Sequence, residues 1–210
     1  MIQTENNTAS SITSLLEQAY TLLSRGSLSD ALECFQQALR LDFDNQELLF
    51  ALKCINWWQS SIEQIQYSSA SIEFGDALIL QWKEFKHSVL YYGAVNSRVM
   101  LAFQHFVFTK AHESFTAFSQ QHHELDINFK LGQTSKMLGN YQEALEFFSS
   151  ILPNHKEDPA LLAEIADVYD LINESVKAKA FFREAFYINP QKIDLDLLET
   201  GTIHRLREKV

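Results

Sequence analysis

The chain has 210 residues, 46% hydrophobic and 21% charged, with only six Gly and three Pro. That balance fits a soluble globular protein, argues against disorder, and favours long helices over a turn-rich β fold. The formal net charge of −10 argues against a sequence-independent nucleic-acid binder, which needs a concentrated basic surface to displace counterions.

The opening "MIQTENNTASS" is polar and lacks the apolar core of a signal peptide. We assign residues 1–10 to a flexible N-terminal segment. No stretch approaches the ~18 apolar residues of a membrane span, so the expected protein is cytoplasmic, without membrane insertion.

Residues 11–45 read as two short antiparallel helices. Leu15, Leu16, Ala19, Leu22 and Leu23 recur at helical spacing, and Gly26 supplies the left-handed turn that ends the first helix. Ser27 and Asp30 have the spacing of a capping box. Ala31, Leu32, Phe35, Ala38 and Leu39 form the inner face of the second helix. Asp44 with Glu47 marks the next helix start.

Residues 46–124 are helical but less regular. "QELLFALKCINWWQSSIEQIQ" carries an apolar face through Leu48, Leu49, Leu52, Ile55, Trp58, Ile62 and Ile65. Two further helices follow, in "GDALILQWKEFKHSVLYY" and "SRVMLAFQHFVFTKAHESFTAF". The phenylalanines of the last one suggest burial in a core. Adjacent helical residues point about 100° apart, so burying one of Trp57 and Trp58 leaves the other at a rim, and the pair is a candidate interface.

Residues 125–192 return to the first pattern. Leu131 and Gly132 lie on a first helix, Gly139 turns the chain, and Asn140 with Glu143 starts the second. Shifted by thirty-four residues, Ala144 falls on Ala178, Phe148 on Phe182 and Ile151 on Ala185. Asp158-Pro159 is a strong helix start, Leu162, Ile165, Ala166 and Tyr169 face Ala178, Phe182 and Ala185, and Asn189-Pro190 closes the unit. An amphipathic helix over 193–210, beginning at about Ile193, would cap the end of the stack.

Ala-x-x-x-Phe-x-x-Ala on the second helix of a thirty-four-residue pair, with proline at the exit, resembles the tetratricopeptide repeat. The resemblance covers residues 12–45, 125–158 and 159–192. It implies an all-α fold, an α-solenoid of antiparallel helix pairs in a right-handed superhelix, with longer irregular helices in the middle. Ala31 and Ala144 are 113 residues apart, not a multiple of thirty-four, so residues 46–124 are a divergent insert or decayed repeats.

Catalytic signals are absent. The glycines are scattered rather than clustered into a phosphate loop, and no G-x-S-x-G elbow occurs. His105, His112, His122, His123 and Glu124 lack zinc-ligand spacing, and Glu143/Glu146 and Asp194/Asp196 read as solvated charge. Cys34 and Cys54 form no C-x-x-C and read as small buried apolar residues. No enzyme, metal or cofactor is expected.

In the family, the first helix of each pair lines a concave groove. The resemblance places Phe129, Lys130, Gln133, Lys136 and Met137 there from one unit, and Glu164, Asp167, Asp170 and Leu171 from the next. It implies a non-catalytic scaffold or adaptor that binds another protein or peptide. The alternatives are a secretion-type or assembly chaperone holding a partner, and a homo-oligomeric structural protein, such as a homodimer formed through the aromatic middle. The chaperone-tail clamp of the family has no counterpart at Leu16, Tyr20, Ala160 and Glu164.

Overall fold

A computed structural model of the chain describes residues 2–65, 68–93, 95–120 and 126–201. Among them every regular element is helical, and the fold is all-α. The chain divides between Ser114 and Phe115 into two compact units.

In the first unit, α1 (Ile2–Ser24) packs against α2 (Leu28–Leu41), α2 against α3 (Gln46–Gln64), and α3 against α4 (Ile72–Val89). Helix α1 begins at Ile2, well before the Ile12 at which the sequence pattern opens. In α2 the stripe Ala31, Cys34, Phe35 and Ala38 is buried, while Leu32 and Leu39 of the predicted face are only half-buried. Ser27 does not cap the helix; its hydroxyl donates to Asp30 Oδ2 at 2.5 Å instead. The next helix is capped by Asn45 rather than by Asp44. Asn45 Oδ1 accepts the Leu48 N–H at 3.2 Å.

Helix α3 buries a wider arc than one apolar face. Leu48, Ile55 and Trp58 are buried as expected, and so are Phe50, Ala51, Cys54 and Ser61, because both α2 and α4 pack against the helix. Trp58 sits at the centre of an aromatic core, stacked on Trp82 at 6.5 Å between centroids and flanked by Phe85 and Phe106. Phe103 and Phe108 of α5 (Ser97–Ser119) extend it. The phenylalanine-rich helix is therefore core.

In the second unit, α6 (Asp126–Met137) pairs with α7 (Tyr141–Ile151), and α8 (Pro159–Leu171) with α9 (Ser175–Ile188); α8 also touches α6 and α7. Gly132 on α6 makes room for Phe148, whose ring occupies the space where a Cβ would stand. Phe148, Ala144 and Ile151 then pack on Leu161, Ile165 and Val168 of α8. Asp158 caps α8, accepting the Ala160 N–H at 3.0 Å, with Pro159 in the first turn.

The turns inside the three pairs share one geometry. Gly26, Gly139 and Asn173 have φ of 81°, 82° and 64°. Each following residue donates its N–H five residues back: Ser27 to Leu22, Asn140 to Ser135 and Glu174 to Tyr169, at 2.8–2.9 Å. This is the left-handed helix terminus that satisfies the last carbonyls.

The expected capping helix does not begin at Ile193. Residues 193–200 run through turns and irregular backbone, because Asp194 Oδ1 accepts the Asp196 N–H at 3.2 Å and the amides of Glu199 and Thr200 are drawn to a side chain of α8. The remainder of that expectation, residues 202–210, lies outside the described residues, as do His122, His123 and Glu124.

Candidate functional site

The residues carried by α6 and α8 converge, but not as an open groove. Lys136 is completely shielded from water and sits between two carboxylates, Glu164 Oε2 at 2.5 Å and Asp167 Oδ2 at 2.7 Å. Gln133 donates to Glu164 Oε1 at 2.7 Å. Burial would depress the Lys136 ammonium, but Glu164 and Asp167 outweigh it and hold its pKa above the usual lysine range. Burial raises the Glu164 carboxyl, and Asp167 adds to that rise against the pull of Lys136 and Gln133. One ammonium cannot neutralise two carboxylates deprived of water.

The cluster has further partners in the segment that follows the last pair. Lys136 Nζ donates to the Leu197 carbonyl at 2.9 Å. Asp167 accepts the Glu199 N–H at 3.0 Å and the Thr200 N–H at 3.0 Å. Leu197 and Leu198 are buried, and Leu198 packs with Ile193 on Leu162, Ala163, Ala166, Phe182 and Ala185. A short run of chain is thus held over α6 and α8 by its main-chain groups and its leucines.

This arrangement corrects the groove expectation for five residues. Gln133, Lys136, Met137, Glu164 and Asp167 are buried, not displayed, because the 193–200 segment and the neighbouring helix cover them. Phe129, Lys130, Asp170 and Leu171 are half-buried. Phe129 packs on Phe148 at 6.0 Å between centroids, and the Lys130 ammonium stands 5.6 Å from the Phe115 ring centroid. One sequence signal could have found the cluster. Helix α8 is apolar almost all round, and such a helix is buried, so its Glu164 and Asp167 need partners.

In the first unit, Trp58 is fully buried and offers no surface, which corrects that half of the interface expectation. Trp57 is half-buried and lines a cleft of about 640 Å³ with Lys53, Gln64, Gln81, Glu84 and Tyr92. A second polar knot went unread in the sequence. Tyr20 donates to Glu47, and Arg98 lies 4.5 Å from the Tyr20 ring centroid while pairing with Glu17 at 2.5 Å. Among the described residues no group of three or more His, Cys, Asp or Glu is placed to hold a metal ion.

The family model of the tetratricopeptide repeat matches residues 12–45 and 159–192. These two matches span less than half of the chain. No curated protein matches it. Solved structures similar to it include a tetratricopeptide repeat protein from Parabacteroides merdae ATCC 43184, at 18% identity and a TM-score of 0.41, covering 95% of this chain and 88% of that one. TTC0263, a thermophilic TPR protein in Thermus thermophilus, is 17% identical with a TM-score of 0.40, covering 94% and 97%. MamA from MSR-1 is 14% identical with a TM-score of 0.37, covering 86% and 97%. In general terms, a chain built of these repeats is a protein–protein interaction scaffold. Among the described residues no helix is long and apolar enough to cross a membrane.

Proposed function

We propose that this protein is a cytoplasmic, non-catalytic adaptor that binds an extended segment of a partner protein along α6 and α8. One observation supports the reading: this face already holds a non-helical run of chain, with Lys136 on a carbonyl and Asp167 on two amides. Main-chain recognition of that kind accepts many sequences, while apolar contacts select among them. Phe129, Lys130, Asp170 and Leu171 border the face and would supply side-chain specificity.

The test is peptide selection from a random display library on the immobilised full chain. Selected peptides should lose at least tenfold in affinity with Lys130→Glu and with Asp170→Lys, each checked for unchanged helix content. Enrichment of nothing, or binding indifferent to both changes, would sink the reading. Lys136 is no use as a probe, because its replacement strikes the buried cluster.

The homo-oligomer alternative has an observation of its own. Leu90, Tyr91 and Leu101 near the junction of α4 and α5 are 70%, 89% and 64% exposed, and exposed apolar side chains gathered into one patch favour self-association. Sedimentation of the purified chain decides it: a monomer at tens of micromolar removes this reading.

A further inference from the structure

We propose that residues 193–200 act as an exchangeable pseudo-ligand, occupying in cis the site on α6 and α8 that a partner's extended, leucine-bearing segment takes in trans. The inference rests on the groove reading above and adds both its regulation and the chemistry of its ligand.

The segment is bound as a peptide would be. Three of its main-chain groups meet side chains of the repeats: the Leu197 carbonyl takes the Lys136 ammonium, and the Glu199 and Thr200 amides meet the Asp167 carboxylate. Ile193 and Leu198 fill the apolar floor made by Leu162, Ala163, Ala166, Phe182 and Ala185, and Leu195 packs at its edge. The segment is not helical, so its hold on the repeats comes from these contacts rather than from an element of its own. It follows α9 through the exposed turn Pro190–Lys192.

What lies beneath it makes release feasible. A purely apolar floor would resist opening, because its whole area would meet water. Here the floor includes Lys136, Glu164 and Asp167, which regain hydration when the segment leaves, and the unbalanced second carboxylate is relieved of burial. Short non-helical segments of this kind can open by local unfolding while the rest of the fold persists. The partner that fits must return what the segment supplied: a carbonyl for Lys136, two successive free amides for Asp167, and adjacent leucine-sized side chains. A resident segment lowers the apparent affinity of any such partner by the fraction of time the site is closed.

The test uses a fluorescent synthetic peptide, QKIDLDLLETG, matching residues 191–201, and the full chain, read by anisotropy. Leu197→Asp/Leu198→Asp should release the cis segment and bind this peptide at least tenfold more tightly than wild type does. The same peptide with both of its adjacent leucines replaced by aspartate should show no such gain. If the double variant keeps wild-type helix content and a cooperative melt yet binds no better, the proposal is overturned. Should that variant lose its fold, a protease site placed between residues 192 and 193 of the wild-type chain gives a second route. After cleavage, displacement of the C-terminal fragment by excess peptide from a still-folded chain supports the exchange, whereas a fragment that cannot be displaced, or repeats that unfold without it, overturns it. Library peptides that bind wild type through Lys130 and Asp170 while QKIDLDLLETG binds no form of the chain would end this proposal and leave the groove reading standing. Failure of both sets of peptides ends both.

Discussion

Lys136 of α6 and Asp167 of α8 meet at 2.7 Å with both side chains wholly out of solvent. The pair joins two successive repeats at a point where the family pattern alone implies only open surface. A buried ion pair adds little over well-packed apolar residues, but removing one partner leaves the other stranded.

Lys136→Met should therefore destabilise the chain strongly, by about 3–5 kcal/mol, because two buried carboxylates lose their cation. Urea denaturation followed by circular dichroism measures this. A loss under about 1 kcal/mol would mean that the cluster is hydrated in solution.

Glu164 sets a pH dependence of definite sign. Its carboxyl is raised in the folded chain by burial, with Asp167 adding to the rise, so the folded state holds that proton more tightly than the unfolded one. Its contribution is complete below the ordinary carboxyl pKa and is lost as pH rises through the raised folded value. Glu164→Gln removes the effect, so the variant should gain on wild type as pH rises above about 4 in parallel thermal melts. Lys136 does not interfere, since its own contribution is lost only above its elevated pKa. A constant difference across the range would contradict the burial of Glu164.

Small residues at two positions should respond in opposite directions. At Gly132 an added methyl overlaps the Phe148 ring, which is itself buried. Gly132→Ala should cost about 1–3 kcal/mol through overpacking, less whatever the better helix propensity returns. Asn173 holds φ at 64°, where a side chain costs about 1–2 kcal/mol relative to glycine. Asn173→Gly should raise the melting temperature, and Asn173→Val should lower it.

The cysteines should be inert in the native chain. Burial pushes the Cys54 thiol up to about 12, and burial also raises Cys34. Since the thiolate is the reactive form, alkylation of Cys54 at pH 8 should be at least ~100-fold slower than in urea-unfolded chain. Mass spectrometry after timed quenching gives the rates, and fast native labelling would show that α3 opens readily.

How much was legible can be followed residue by residue. The left-handed turns at Gly26 and Gly139 and the stripes Ala31/Phe35/Ala38 and Ala178/Phe182/Ala185 are visible in the letters, because periodicity and turn chemistry are local properties. The equivalence of Asn173 with those glycines is visible only by the thirty-four-residue shift. The capping box at Ser27 failed because Asp30 is short enough for the hydroxyl to bond it directly. The apolar face of α3 already singled out Trp58 over Trp57, but its stacking on Trp82 and Phe85 of α4 is contained in no local pattern.

The sequence by itself determined the helix pairs, their turns and the family of the repeats, since each follows from side chains within about one turn or one thirty-four-residue period of each other. Only the tertiary structure decided what the polar first-helix residues do. Lys136, Glu164 and Asp167 are ordinary charged letters until α6 and α8 lie side by side, and Asp167 finds the Thr200 amide thirty-three residues away along the chain. Long-range contacts of that kind arise from packing geometry, and whether a charge is solvated or buried is settled by the neighbours packing brings to it.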